Sequence, residues 1–150
     1  MKSLMKISDQ AGQDSSDSSL PHYLFVDDDI FMRNLFKSFF ERKAEVSLAN
    51  DGREALLKIA GQHFDAIISD VDMPTLNGIG LFKILSVIDA SICKRFLFCS
   101  GNFSPELSAF CSEHQVPFFS KPIRLTALQA ELDELINIDF EQNTYPRTAS

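Results

Sequence analysis

The sequence predicts an α/β domain built on a five-stranded parallel sheet with helices on both faces. Short apolar runs recur along it: His22–Val26, Val46–Ala49, Ala66–Ser69, Phe96–Cys99 and Pro117–Phe119. Each is bounded by polar or turn-forming residues, as strands are. A stretch with helical character follows each run, and strands that alternate with helices lie parallel because a helix must carry the chain back across the sheet. Right-handed crossovers then leave few topologies. Both ends of the chain are polar, which confines the expected folded part to residues 21–137, between an N-terminal tail (1–20) and a C-terminal tail (138–150).

The elements can be justified in turn. Helix one, after the first strand, holds Phe31, Phe36, Phe39 and Phe40, more aromatic residues than one buried stripe requires. Helix two opens on Asp51-Gly52-Arg53-Glu54, a capping-box-like start to the apolar Ala55, Leu56, Ile59 and Ala60. Helix four opens on Ser104-Pro105-Glu106, which supplies an N-cap, a proline at the first helical position and an acid matched to the helix dipole. The last helix carries Leu125, Leu128, Leu132 and Leu135 at spacings of three and four, a single apolar stripe. By contrast, residues 8–19 (SDQAGQDSSDSS) hold too little apolar surface to offset the entropy of ordering them, and their spacing fits no calcium loop.

Composition removes several classes of function. A formal charge of −7 opposes general binding to nucleic acid or to an anionic membrane, both of which need a basic face. Cys93, Cys99 and Cys111 are odd in number and lack metal-ligand spacing, so they are read as small core residues in a reducing compartment. No secretory signal follows the first residues and no apolar run approaches a membrane span, which makes the cytoplasm the expected location. Phenylalanine is abundant, fourteen residues with no tryptophan, and most of it is expected in the core.

In a sheet of this kind the functional groups lie beyond the carboxyl ends of the strands, where the strand order reverses. Strand one runs into Asp27-Asp28-Asp29, strand three into Asp70-Val71-Asp72-Met73-Pro74, strand four into Ser100-Gly101 and strand five into Ser120-Lys121-Pro122. Singly, each is ordinary: an acid after a strand is often a helix cap, Ser-Gly a turn, Lys-Pro a surface loop. Together they bring acids, a hydroxyl and an amine to one edge. Two carboxylates about 4 Å apart repel by about 4 kcal/mol at an effective dielectric of about 20, so Asp27, Asp28 and Asp70 call for a cation. Mg²⁺ suits them, since it takes oxygen ligands, binds through one or two carboxylates and leaves positions for phosphate. A carboxylate beside such an ion can attack phosphorus and become an acyl phosphate, with Lys121 and Ser100 placed to meet the phosphoryl oxygens.

These residues resemble the receiver domain of two-component response regulators. The matching positions are Asp27-Asp28, Asp70-Val71-Asp72-Met73-Pro74 with Gly78, Ser100-Gly101, Lys121-Pro122, and the junction Ala49-Asn50-Asp51-Gly52-Arg53-Glu54-Ala55. The resemblance implies a doubly wound, flavodoxin-like (βα)5 fold with strand order 2-1-3-4-5. It implies that Asp70 accepts a phosphoryl group from a histidine kinase or histidine phosphotransfer protein. Mg²⁺ would be held by Asp28, Asp70 and the backbone carbonyl of Asp72, and by Asp27 through a water. Lys121 would pair with the phosphoryl group and Ser100 would swing toward it. Phe118 stands where the family commonly has a switch tyrosine, so the ring lacks a hydroxyl. Asp72 and Asn102 would flank the attacking water and set the phosphoryl lifetime. The Lys121–Pro122 bond is a candidate for the cis form.

Such a domain is a switch that assists its own phosphorylation and dephosphorylation, without a separate catalytic domain. The short stretch after the last helix leads us to expect a stand-alone receiver that signals by protein contact through the face of helix four, strand five and helix five, and not through nucleic acid or membrane. One or two of the helix-one phenylalanines are expected to be exposed as a docking surface for the phosphodonor; the competing expectation has all of them buried. Two other functions compete with the switch. Asp70-Val71-Asp72 also resembles the nucleophile motif of haloacid-dehalogenase-type phosphatases, but those enzymes place that motif on the first strand and the acidic pair last, the reverse of the order here. A receiver that binds partners without phosphorylation is the other alternative, and the full set of expected groups disfavours it.

Overall fold

The computed structural model describes the backbone of residues 20–149 and the side chains of residues 20–137. Its strands are β1 (His22–Val26), β2 (Glu45–Ala49), β3 (Ala66–Asp70), β4 (Phe96–Ser100) and β5 (Phe118–Ser120). Its helices are α1 (Ile30–Phe40), α2 (Gly52–Gly61), α3 (Gly78–Ile88), α4 (Ala90–Cys93), α5 (Pro105–His114) and α6 (Leu125–Ala149). All strand pairs are parallel, in the order β2-β1-β3-β4-β5. The order reverses at β1, whose neighbours are β2 on one side and β3 on the other, and this reversal opens the crevice at the carboxyl ends of β1 and β3.

Local chemistry starts the helices. Asp29 caps α1 by accepting from the Phe31 N–H, and Asp51 caps α2 by accepting from the Glu54 N–H at 2.8 Å. Glu54 reaches back to the Asn50 N–H, one residue beyond the N-cap N–H that a strict capping box would use. Asn77 caps α3, and Ser104 caps α5 with Pro105 in the first turn. At the other end of α5, Gln115 takes the left-handed conformation that closes a helix.

Burial on both sheet faces makes two cores. Tyr23, Phe25, Ile68, Leu97 and Cys99 meet Phe36 and Phe40 of α1 and Leu128 and Leu132 of α6. Leu24, Val26, Ile67, Phe96 and Phe98 meet α2, α3, α4 and α5 through Ala55, Leu81, Phe82, Ile92 and Leu107. Among the described side chains seven phenylalanines are buried, and the rings of Phe25 and Phe36 stack with centroids 4.4 Å apart. Cys99 and Cys111 are buried free thiols, and Cys93 is half-buried.

Several boundaries differ from expectation: β2 begins one residue earlier, at Glu45, and β5 lies one residue further along, at Phe118–Ser120. β3 and β4 each run one residue further, so Asp70 and Ser100 are the last strand residues and inherit the strand's rigidity. The short helix α4 lies between α3 and β4, where one helix was expected; Asp89 both ends α3 and caps α4 through the Ser91 N–H, so four residues suffice for a helical turn. Residues 138–149, set apart above as a polar tail, continue α6 as helical backbone. The expected N-terminal tail lies outside the described residues except for Leu20. On α1, Phe36 and Phe40 are buried, Phe39 is half-buried, and Phe31 is 79% exposed beside exposed Ile30 and Leu35.

Candidate functional site

Asp27, Asp28 and Asp70 converge at the carboxyl edge of β1 and β3, with one carboxylate oxygen from each lying within 4.8 Å of the others. Asp27 and Asp70 are buried, whereas Asp28 is exposed and opens the cluster to solvent. Lys121, just past β5, places Nζ 2.8 Å from Asp27 Oδ2 and 3.5 Å from Asp70 Oδ2. The Lys121–Pro122 peptide bond is cis. The Lys121 backbone N–H donates to the Ser100 carbonyl at 2.8 Å, tying its segment to the end of β4. Asp27 is further held by the Asp29 N–H on Oδ1, and its carbonyl accepts from the Arg33 guanidinium.

The electrostatics follow from this crowding. Burial, and then the charge of Asp27, push the Asp70 carboxyl up to about 6, against the opposing pull of Lys121 and the Val71 N–H. For Lys121, burial pulls the ammonium down, but the hydrogen bond and charge of Asp27, followed by the charge of Asp70, outweigh it and hold the group above its ordinary value. Three carboxylates face one ammonium, leaving two negative charges in excess when all are ionised. That donor set, all oxygen and partly open to water, fits a divalent cation such as Mg²⁺.

Ser100 is buried at the end of β4 and its hydroxyl is engaged by Asn102. Ser100 Oγ accepts from the Asn102 N–H at 3.0 Å and lies 3.2 Å from the Asn102 carbonyl and 3.4 Å from Asp72 Oδ2, either of which can take its one proton. Asp72 and Asn102 are exposed, and Phe118 is half-buried on β5, in register with Phe98 of β4. The expected site residues therefore fall into two neighbouring groups: Asp27, Asp28, Asp70 and Lys121 in one, and Ser100, Asp72 and Asn102 in the other.

Contacts that single residues did not reveal support this edge. The loop from Val71 to Asn77 is pinned at both ends: the Gly78 N–H donates to the Val71 carbonyl at 2.9 Å, and the Gly52 N–H to the Leu76 carbonyl at 3.3 Å. A β-carbon on Gly78 would run into the Asp70 carbonyl oxygen, and one on Gly52 would meet the Leu76 carbonyl at 2.6 Å. Thr75, within the loop, has φ of 71°, an uncommon conformation for a β-branched residue. Both glycines stand inside sequence motifs, but their packing is non-local: Gly52 of α2 meets the β3–α3 loop at Leu76, and Gly78 meets the backbone of Asp70 and Val71.

Comparison with known proteins points the same way. A sequence model described as the response regulator receiver domain matches residues 23–133. The protein-glutamate methylesterase/protein-glutamine glutaminase of Thermotoga maritima is 33% identical over 135 residues, which cover 83% of this chain and 38% of that protein. The transcriptional regulatory protein ZraR of Escherichia coli is 27% identical, covering 75% of this chain and 26% of its own length. The chain thus spans well under half the length of these curated relatives. Among solved structures, a Francisella response regulator receiver domain superposes with a TM-score of 0.71 at 29% identity, covering 79% of this chain and 98% of that one. The Vibrio cholerae chemotaxis protein CheY4 gives 0.69 at 29% identity, covering 77% and 98%.

Proposed function

The chain belongs to the response regulator receiver family, and from that premise we propose that Asp70 accepts a phosphoryl group from a histidine kinase or histidine phosphotransfer protein. The observation that carries this reading is the position of Asp70: a buried carboxylate ending β3, with Lys121 Nζ 3.5 Å away and the Asp27–Asp28 pair beside it. In the transfer, an Asp70 carboxylate oxygen forms a bond to phosphorus as the donor's N–P bond breaks and its imidazole regains a proton. The Lys121 ammonium then sits where negative charge on the phosphoryl oxygens has to be met.

Asp28, Asp70 and the backbone carbonyl of Asp72 would hold Mg²⁺, with Asp27 acting through a water. When bound, the ion supplies positive charge to the phosphoryl oxygens. Asp27 keeps Lys121 oriented by a direct 2.8 Å hydrogen bond. Ser100 and Phe118 form the switch, Ser100 turning from Asn102 toward the phosphoryl group. Asp72 and Asn102, exposed at the rim, set its lifetime. Phe31 with Ile30 and Leu35 presents an apolar surface at the start of α1, next to the acidic pair, and we assign it to docking of the phosphodonor. The downstream partner reads the face of α5, β5 and α6.

Labelling with acetyl phosphate tests the reading. The native chain is expected to take up one phosphoryl group in Mg²⁺ and none with excess chelator, and Asp70→Asn is expected to take up none. Replacing Lys121 with Gln removes one preorganised cation and is expected to slow labelling about a hundredfold. Equal labelling of native protein and Asp70→Asn contradicts the assignment.

A further inference from the structure

The helix α3 is apolar nearly all round, with Lys83 its one charged residue. A helix of that composition is ordinarily covered on both sides. Leu81, Phe82 and Leu85 are buried against the sheet, but Ile84, Val87 and Ile88 face outward, Val87 at 86% exposure. Phe82 meets Phe110 of α5 with ring centroids 5.4 Å apart. The helical period sets Ile84 and Ile88 away from Phe82, on the side of α2, whose Leu57 is also exposed. This patch runs into a cavity of about 210 Å³, because Ile88 adjoins Asp89 in the cavity wall. Phe64, Ile67 and Ile92 form its buried lining with half-buried Ile59 of α2. Arg95 braces the walls: its Nε donates to the Phe64 carbonyl at 3.0 Å and a terminal nitrogen to the Ser91 carbonyl at 3.3 Å. An apolar cavity of about 150 Å³ holds a benzene ring, so this one admits a single large apolar side chain.

We propose that the α2–α3 face is a docking surface for an acidic amphipathic helix of a partner protein, one apolar side chain of which enters the cavity. Charge selects this occupant. On α2, α3, α4 and the two residues after α4, Arg53, Lys58, Lys83, Lys94 and Arg95 stand against Glu54 and Asp89, a basic island on a chain of net charge −7. A second copy that paired through the same face would bring the two basic islands together, so an isologous dimer opposes itself. A lipid surface offers no fixed side chain to a walled cavity, whereas a helix with apolar residues at i, i+4 and i+7 follows the line from Ile84 to Ile88 and ends at the cavity. Phe64 and Arg95 stand just before β3 and β4, so the cavity opens at the amino edge of the sheet, opposite the edge that holds Asp70. The surface is therefore separate from the α1 patch and from the face of α5, β5 and α6, and it does not depend on which residue is the phosphoacceptor.

A displayed library of helical segments is selected on the native 150-residue chain after depletion on a variant carrying Val87→Gln and Ile88→Gln. Both side chains already face water, so the variant is expected to keep the native circular dichroism and melting curve. Segments that survive are expected to combine aromatic or leucine residues at i, i+4 and i+7 with an excess of Asp and Glu. In fluorescence anisotropy, a labelled segment of this kind is expected to bind the native chain at least about tenfold more tightly than the variant. Lys83→Glu with Lys94→Glu is expected to weaken the same segment about threefold to tenfold. Selection of basic or neutral segments, failure to select any, or equal affinity for the native and Gln-substituted chains overturns the proposal. The competing occupants are tested on the chain alone. Co-sedimentation with vesicles of phosphatidylcholine and phosphatidylserine, or dimerisation in sedimentation velocity, is expected in neither case; either one, if abolished by the Gln substitutions, gives the face to a membrane or to a second copy and overturns the proposal.

Discussion

Asp70 is held at odds with its own ionisation. Burial and the neighbouring Asp27 carboxylate raise it to about 6 from the usual 3.8, so the folded chain binds a proton that the unfolded chain has already released across that interval. This contribution to stability is present in full below about pH 3.8 and is lost as the pH rises through about 6. In chelator at pH 7, Asp70→Asn is therefore expected to be more stable than the native chain, by up to about 3 kcal/mol. Urea denaturation should show the difference opening between pH 4 and 6, and an Asp70→Asn variant less stable than native at pH 7 would contradict it. A divalent cation relieves the same crowding, so Mg²⁺ is expected to raise the melting temperature of the native chain more than that of Asp70→Asn.

At the scale of elements, the precision of the site depends on how the β3–α3 loop is seated. Gly78 abuts the Asp70 backbone so closely that Gly78→Ala must displace either α3 or the end of β3. The expected cost is about 1–3 kcal/mol, together with slower labelling, and thermal melting alongside acetyl phosphate labelling checks both. An Ala variant with parental stability and rate would show that the contact is dispensable. Local sequence signals located these elements well. Asp51 and Ser104 start helices through bonds to their own next turn, Pro105 presets the first helical φ of α5, and five apolar runs mark the strands, so each could be read without knowing its neighbours. The signals failed where length or distance mattered. Four residues of α4 are too few to show a helical period, and the continuation of α6 past residue 137 lacks the apolar stripe by which its first turns were recognised. Phe103, in the loop after β4, packs on Phe118 of another element, a contact that no local pattern encodes.

Across the whole molecule, the parallel sheet gathers Asp27, Asp70, Ser100 and Lys121 from four strand ends that are remote in sequence. Their grouping was legible because strand order and strand direction leave little freedom at that edge once each apolar run is recognised. Side-chain direction was not legible: that Lys121 pairs with Asp27 while Ser100 turns to Asn102 depends on packing across strands. The exposed Ile30, Phe31 and Leu35 on α1 lie at the approach to this edge, separate from the β4–α5 loop. Phe31→Ala is accordingly expected to reduce transfer from purified histidine phosphotransfer domains severalfold while leaving acetyl phosphate labelling unchanged. Equal loss in both assays would move Phe31 from docking to folding.

The central claim concerns one oxygen on one residue. Native chain labelled with acetyl phosphate and Mg²⁺ can be reduced with borohydride, which converts an aspartyl phosphate to homoserine, and then digested and sequenced by mass spectrometry. The account predicts homoserine at position 70 and at no other aspartate; homoserine at Asp27, Asp28 or Asp72, or its absence from a fully labelled chain, would contradict it.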